Sequence, residues 1–220
     1  MREKIKQNLL QIQEEIVPCK PKIIAVTKYF DKNAIIDAYQ SGVRDFAESR
    51  VVEAAEKIES LPGEIIKNSQ FHFIGHLQTN KVKKAIEYFD YIHSVDSVKL
   101  AQKISQHCQE IGKVQKVLLQ VNNADEEQKY GFRTSEINKA YSQIKDLASI
   151  KVVGIMNIAP LGEDEDRLKE LYKQIRLIRD DLENTFGCKL EELSMGMSQD
   201  YKIAAYEGAT MLRVGRKLFK

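Results

Sequence analysis

Short β-branched apolar runs alternate along the chain with longer segments whose apolar residues recur three and four positions apart. The first pattern fits strands, the second fits helices with one buried stripe, and their alternation predicts βα units around a parallel sheet. Strands are predicted at residues 23–27, 43–47, 71–75, 91–95, 115–121, 151–156, 191–195 and 210–214. Between them, Leu168, Leu171, Ile175, Ile178 and Leu182 form one helical stripe, and Ile137, Ala140, Ile144 and Leu147 form another. Stop signals agree with this division. Gly42 follows the helix containing Asp37 to Tyr39, Pro62-Gly63 ends the helix after Ser49, and Gly112 ends the helix carrying Leu100 and Ile104.

Eight such units in 220 residues give 220/8 = 27.5 residues per unit. That value is compact for a (β/α)8 barrel and awkward for two domains. The expectation is a single α/β domain over residues 1–220, a TIM-type (β/α)8 barrel, with a doubly wound open sheet as the alternative. After the eighth strand only Gly215 to Lys220 remain, too few for a covering helix. Ile5, Leu9, Ile12 and Ile16 recur at helical spacing ahead of the first strand, so an N-terminal helix is expected to cover the last strand.

Composition narrows the function classes. The chain carries 34 Lys plus Arg against 32 Asp plus Glu, a net charge of +2, which speaks against a nucleic-acid surface. With 43% hydrophobic residues it can bury a sizeable core, and disordered and fibrous classes are excluded. The apolar runs are too short for a membrane span, and the N-terminus has no signal-peptide core, so a cytoplasmic location is expected. Cys19, Cys108 and Cys188 form an odd set without C-x-x-C spacing, suggesting neither a disulfide framework nor a zinc site.

In a (β/α)8 barrel the chemistry sits where strands end and βα loops begin. Lys28 directly follows the first strand. A lysine stem entering an apolar strand-end pocket loses solvation, and its amine can then attack an aldehyde to form a Schiff base. The alternative is a loop lysine in solvent. Gly196-Met197-Ser198 follows the seventh strand and opens a helix around Lys202 to Tyr206, a place where N–H groups meet phosphate; Ser198 could equally be a simple N-cap. Gly215-Arg216 follows the eighth strand and can bring N–H groups to the same place. Arg213, inside the apolar run Met211 to Val214, must find an acceptor, either a carboxylate or a ligand atom. His72 and His76 straddle a strand and a turn, so they do not share a helix face and no metal site is expected. Lys81, Lys83 and Lys84 read as a solvated helix face, and Glu163 to Asp166 as acid favouring a helix dipole.

These strings together carry a resemblance. Ala25-Val26-Thr27-Lys28, His72-Phe73-Ile74-Gly75-His76-Leu77-Gln78-Thr79-Asn80-Lys81, Gly154-Ile155-Met156, Ser194-Met195-Gly196-Met197-Ser198-Gln199-Asp200 and Arg213-Val214-Gly215 resemble the pyridoxal-phosphate homeostasis proteins, the YggS/PROSC family. The resemblance implies a barrel similar to the N-terminal domain of alanine racemase, with pyridoxal 5′-phosphate (PLP) held as a Schiff base on Lys28. It further implies that Ser198 and the Gly215-Arg216 backbone hold the phosphate, while Arg213 faces the pyridine nitrogen. Two positions depart from the family: Ala47-Glu48-Ser49 stands where Gly-Glu-Asn is common, and Arg216 where a small hydroxyl residue often stands.

An arginine opposite the pyridine nitrogen disfavours its protonation and weakens the ring as an electron sink, which argues against transamination. Racemisation needs a second base, which racemases obtain from an additional domain, and none is expected in a chain ending at Lys220. The functional expectation is a PLP carrier in vitamin B6 and amino/keto-acid homeostasis without robust catalysis, a monomer or weak dimer with apo PLP-dependent enzymes as recipients. A weak PLP-dependent amino-acid racemase or a Schiff-base lysine aldolase is the alternative.

Overall fold

The computed structural model describes residues 1–124 and 130–220. Eight parallel strands close into a barrel: β1 (Lys22–Val26), β2 (Asp45–Glu48), β3 (Gln70–Phe73), β4 (Tyr91–Val95), β5 (Gln115–Asn122), β7 (Ile150–Met156), β8 (Glu192–Ser194) and β9 (Met211–Val214). They run in the order β4-β3-β2-β1-β9-β8-β7-β5, and a direct β4–β5 pairing closes the ring. The closure excludes the doubly wound alternative, whose sheet has two free edges. A two-residue strand, β6 (Phe132–Arg133), extends the sheet beyond the end of β5 and is too short for a periodicity signal.

The helices are α1 (Arg2–Glu15), α2 (Lys32–Gln40), α3 (Val51–Glu59), α4 (Gly63–Lys67), α5 (Val82–Tyr88), α6 (Val98–Ile111), α7 (Ile137–Ile144), α8 (Glu165–Phe186), α9 (Tyr201–Tyr206) and α10 (Arg216–Phe219). Pro62-Gly63 does end α3, but it also opens α4, because proline at a cap position pre-sets the entry angle of a helix. The acid at the start of α8 works as expected: the Asp164 side chain accepts the Arg167 N–H at 2.8 Å. Strand β2 starts two residues later than predicted. Val43 N donates to Ala38 O at 3.0 Å, so it still belongs to the turn that ends α2.

Side chains alternate across the barrel wall. Ile24, Ala47, Tyr91, Leu118, Val153, Met156 and Met211 fill the barrel interior. Ala25, Phe46, Phe73, Ile92, Leu193 and Leu212 belong to the larger core between wall and helices.

Of the six residues after β9, Arg216–Phe219 form the single turn α10. One turn buries Leu218 and Phe219 but is too short to cover a barrel face, and α1 supplies the remainder. It packs against α10 and α2, buries Ile5, Ile12 and Ile16, and its Asn8 Nδ2 donates to Leu218 O at 2.9 Å. At the end of α1, Glu15 accepts a hydrogen bond from Tyr201 and pairs with Lys202 at 3.1 Å. The Tyr201 hydrogen bond is the largest influence on this carboxyl, and with Lys202, Gln11 and Lys217 it holds Glu15 at about 2.

A depressed carboxylate pKa stabilises the fold above its ordinary value and loses that contribution as the pH falls through the folded value. Glu15→Gln should therefore lower unfolding free energy by roughly 1–2 kcal/mol at pH 7, the scale of hydrogen bonds to a charged group. The gap from wild type should narrow as the pH falls from 4.5 towards about 2. Urea unfolding of both proteins at several pH values checks this.

Candidate functional site

The loops after β8 and β9 meet. Gly196 turns the chain out of β8 at φ 86°, and a Cβ there would lie 2.4 Å from Ala204 Cβ, so only glycine fits. Asp200 then clamps the following turn: its Oδ1 accepts the Met197 N–H at 2.5 Å, while Asp200 N and Tyr201 N bond Met197 O. This turn presents Ser198, whose Oγ accepts the N–H groups of Gly215 and Lys217, each at 3.2 Å. The backbone N–H groups of Ser198 and Arg216 have no partner among the described residues. The cradle is therefore a pair of turns lined with N–H groups and one hydroxyl. The sequence reading needs correction here. Helix α9 starts at Tyr201 with Asp200 at its N-cap position, so Ser198 is not a cap and the helix end lies three residues beyond it.

Gly215 sits beside the end of β1, where an added Cβ would come within 3.3 Å of Val26 O. From Val26 the chain runs through Thr27 to Lys28, in the turn that follows β1. The Lys28 side chain is exposed, with Nζ 5.1 Å from the Tyr29 ring centroid, and among the described residues no apolar pocket encloses it. Its backbone support is rigid instead. Thr27 Oγ1 donates to Glu48 Oε1 at 2.7 Å, and Lys57 Nζ reaches both that oxygen at 2.7 Å and Thr27 O at 3.0 Å. Glu48 and Thr27 are buried between the barrel wall and α3, which delivers Lys57. Ser49, the residue after Glu48, lines a cavity of about 250 Å3 with Arg50, Phe73, His76 and Lys81.

Arg213 is buried inside the barrel and makes no ion pair among the described residues. Its Nη1 donates to Ser194 Oγ and its Nη2 to Asn157 O, both at 2.7 Å. Burial pushes the guanidinium down to about 10, partly offset by Tyr172 and Asp200, so it stays cationic at neutral pH. The five N–H donors of a guanidinium exceed these two bonds. Sequence reasoning missed the polar residues behind Arg213. Ser194 Oγ contacts His93 Nδ1 at 2.8 Å, His93 Nε2 contacts His72 Nδ1 at 2.9 Å, and His72 Nε2 contacts Asp45 Oδ1 at 3.0 Å. A partial signal was present: His72 and Ser194 stand at inward positions between apolar outward neighbours, as in Phe71-His72-Phe73 and Leu193-Ser194-Met195. His76, in contrast, lies outside the barrel interior, stacked on Tyr130 and paired with Asp96 at 3.1 Å.

A closed parallel barrel with a lysine after its first strand, an N–H cradle after its last two and a buried arginine between them defines a barrel of the alanine racemase class. The sequence profile described as alanine racemase, N-terminal domain, matches residues 2–220. Within that class, the chain belongs to the pyridoxal phosphate homeostasis proteins. It is similar to the pyridoxal phosphate homeostasis protein of Synechocystis, 38% identical over 211 residues that cover 94% of this chain and 96% of that protein. It is also similar to the solved structures of PipY from Synechococcus elongatus. The structure without PLP gives a TM-score of 0.92 at 37% identity, covering 98% of this chain and all of that one. The structure with PLP bound gives 0.88 at 36% identity, with the same coverage.

The Glu48–Lys57 pair generates a prediction. Removing one partner of a buried ion pair strands the other charge and typically costs about 3–5 kcal/mol. Lys57→Met should therefore destabilise the protein by ~3 kcal/mol in urea unfolding, and Lys57→Met with Glu48→Gln should recover part of the loss.

Proposed function

We propose that this chain binds PLP at the C-terminal mouth of the barrel and serves intracellular PLP and amino/keto-acid homeostasis. The observation that carries the reading is the Ser198 hydroxyl bound to both Gly215 N and Lys217 N, which joins two loops into one anion cradle beside the end of β1. The donor set fits the cofactor. Lys28, Ser198, Arg213, Gly215 and Arg216 offer an amine, a hydroxyl, a guanidinium and backbone N–H groups, and this donor set itself contains no carboxylate. Asp200, the nearest acid in sequence, is engaged by Met197 N at 2.5 Å. Bound PLP supplies an aldehyde that reacts with amines and a ring able to withdraw electrons.

In this reading Lys28 provides the amine, on a backbone fixed by Glu48 and Lys57. Ser198 and the Arg216 N–H bind the phosphate, and the Gly215 N–H, which holds Ser198 Oγ in the structure, joins them where the phosphate replaces that contact. The Arg216 side chain is exposed, so its backbone is the part that serves the cradle. Arg213 faces the pyridine nitrogen and, as a held cation, opposes its protonation, which removes the driving force for transamination. The protein is thus a carrier, a monomer or weak dimer, and apo PLP-dependent enzymes are its recipients. A cytoplasmic setting suits it: Cys19, Cys108 and Cys188 are all free, as in a reducing compartment. No helix among the described residues is long and apolar enough to cross a membrane.

Two measurements test the reading. Wild type loaded with PLP and freed of unbound cofactor should keep a protein-bound yellow band that Lys28→Ala lacks, and a protein-bound band surviving the substitution would refute the covalent role. Ser198→Ala should weaken PLP binding by ~1.5–3 kcal/mol, one hydrogen bond to a charged group, read from the dissociation constant. Sustained Lys28-dependent turnover of an amino acid would instead favour the weak racemase, and turnover of an aldol substrate without PLP would favour the aldolase.

A further inference from the structure

Arg213 and Asp45 are the charged ends of one line of hydrogen bonds through the barrel interior. Arg213 Nη1 bonds Ser194 Oγ at 2.7 Å, Ser194 bonds His93 at 2.8 Å, His93 bonds His72 at 2.9 Å, and His72 bonds Asp45 at 3.0 Å. The three middle residues are fully buried, whereas the Asp45 side chain is 20% exposed at the N-terminal start of β2. The line therefore crosses the barrel, from the face where strands begin to the site at the other end.

Donor and acceptor chemistry leaves one arrangement of hydrogens with both rings neutral. A guanidinium only donates and a carboxylate only accepts. Ser194 Oγ thus accepts from Arg213, and His72 Nε2–H donates to Asp45. A neutral imidazole has one donor and one acceptor, so His72 Nδ1 accepts from His93 Nε2–H. His93 Nδ1 then accepts from the Ser194 hydroxyl. Every bond points the same way, from cation to anion, and no group in the line is left unpaired. The surroundings keep the rings in place: Tyr91 stacks on His72 at 4.6 Å between centroids, and Lys22 and Lys116 lie over the Tyr91 ring. Burial above all, with the cations Arg213 and Lys22 adding to it, holds His93 well below the usual imidazole range, so it stays neutral.

We infer that Ser194, His93 and His72 are positioning residues that tie Arg213 to Asp45 as its remote counter-charge and fix the guanidinium where the cofactor ring must meet it. Asn157 O anchors the second nitrogen of Arg213. The line supplies the other anchor, and with it the orientation of the remaining donors. The inference rests on the PLP-binding reading for its consequence, though the hydrogen arrangement itself is a property of the protein alone.

The test has two arms on the full chain. In the first, 15N-labelled histidine is followed by two-bond proton–nitrogen NMR of the protein without PLP at pH 7. Both His72 and His93 should appear as neutral rings protonated at Nε2; a charged ring, or a ring protonated at Nδ1, would overturn the inference. In the second, PLP dissociation constants are measured by absorbance titration for wild type, Ser194→Ala, His93→Phe and the double variant. Each single change should weaken binding about tenfold, and the double variant also about tenfold, because both cut the same line. Wild-type affinity in the single variants, or losses that multiply to about a hundredfold in the double, would overturn it. Failure of wild type to take up PLP would refute the functional reading, and the imidazole pattern would still decide the line.

Discussion

The buried charge of Arg213 is the constraint around which the barrel interior is organised. A guanidinium cannot shed its proton cheaply, and enclosing it in an apolar lumen without acceptors costs several kcal/mol. The strands respond with polar residues at inward positions: Ser194 from β8, the Asn157 carbonyl after β7, and behind them His93 and His72 from β4 and β3. Closing the sheet at β4–β5 sets β3 and β4 across the lumen from β9 and its neighbour β8, so His93 can meet Ser194 only in a closed barrel. Fold and charge are thus one requirement. Around Arg213 the lumen is lined by apolar residues such as Ile24, Leu118, Met156 and Met211, whose low polarisability leaves the charge little screened.

The remaining parts of the site are built by a different device, close approach of backbones. Gly196 lets the turn after β8 lie against Ala204 and Leu212, and Gly215 lets the turn after β9 lie against Val26. Ser198 then bridges the two turns. On the other side of the barrel wall, Glu48 and Lys57 secure the Thr27 peptide while the Lys28 side chain stays free. An exposed lysine on a fixed backbone beside this cradle is the arrangement on which the proposed PLP binding rests.

Much of this was legible in the sequence. Alternating β-branched runs and helical stripes placed all eight barrel strands, and the glycines after β8 and β9 marked the loops that meet. What escaped is physical in kind. Strand β6 has two residues and no period to read. The one-turn helix α10 forms because α1 packs against it, a tertiary effect that propensity does not contain. The spacing sets Ser198 at the N-terminus of the next helix, but the turn closed by Asp200 comes first. The polar line through the lumen was written in the inward positions of β2, β3, β4 and β8, yet single histidines in apolar strands acquire a direction only when the strands are set around one lumen.

The central claim, that one constellation of Lys28, Ser198, Gly215, Arg216 and Arg213 receives a single PLP molecule, is tested most directly by a crystal structure of the full chain grown with PLP. The account predicts the cofactor joined to Lys28 Nζ, its phosphate within hydrogen-bond distance of Ser198 Oγ and Arg216 N, and Arg213 against the ring nitrogen with its bonds to Ser194 and Asn157 kept. Phosphate bound elsewhere, or Arg213 turned away from the ring, would contradict it.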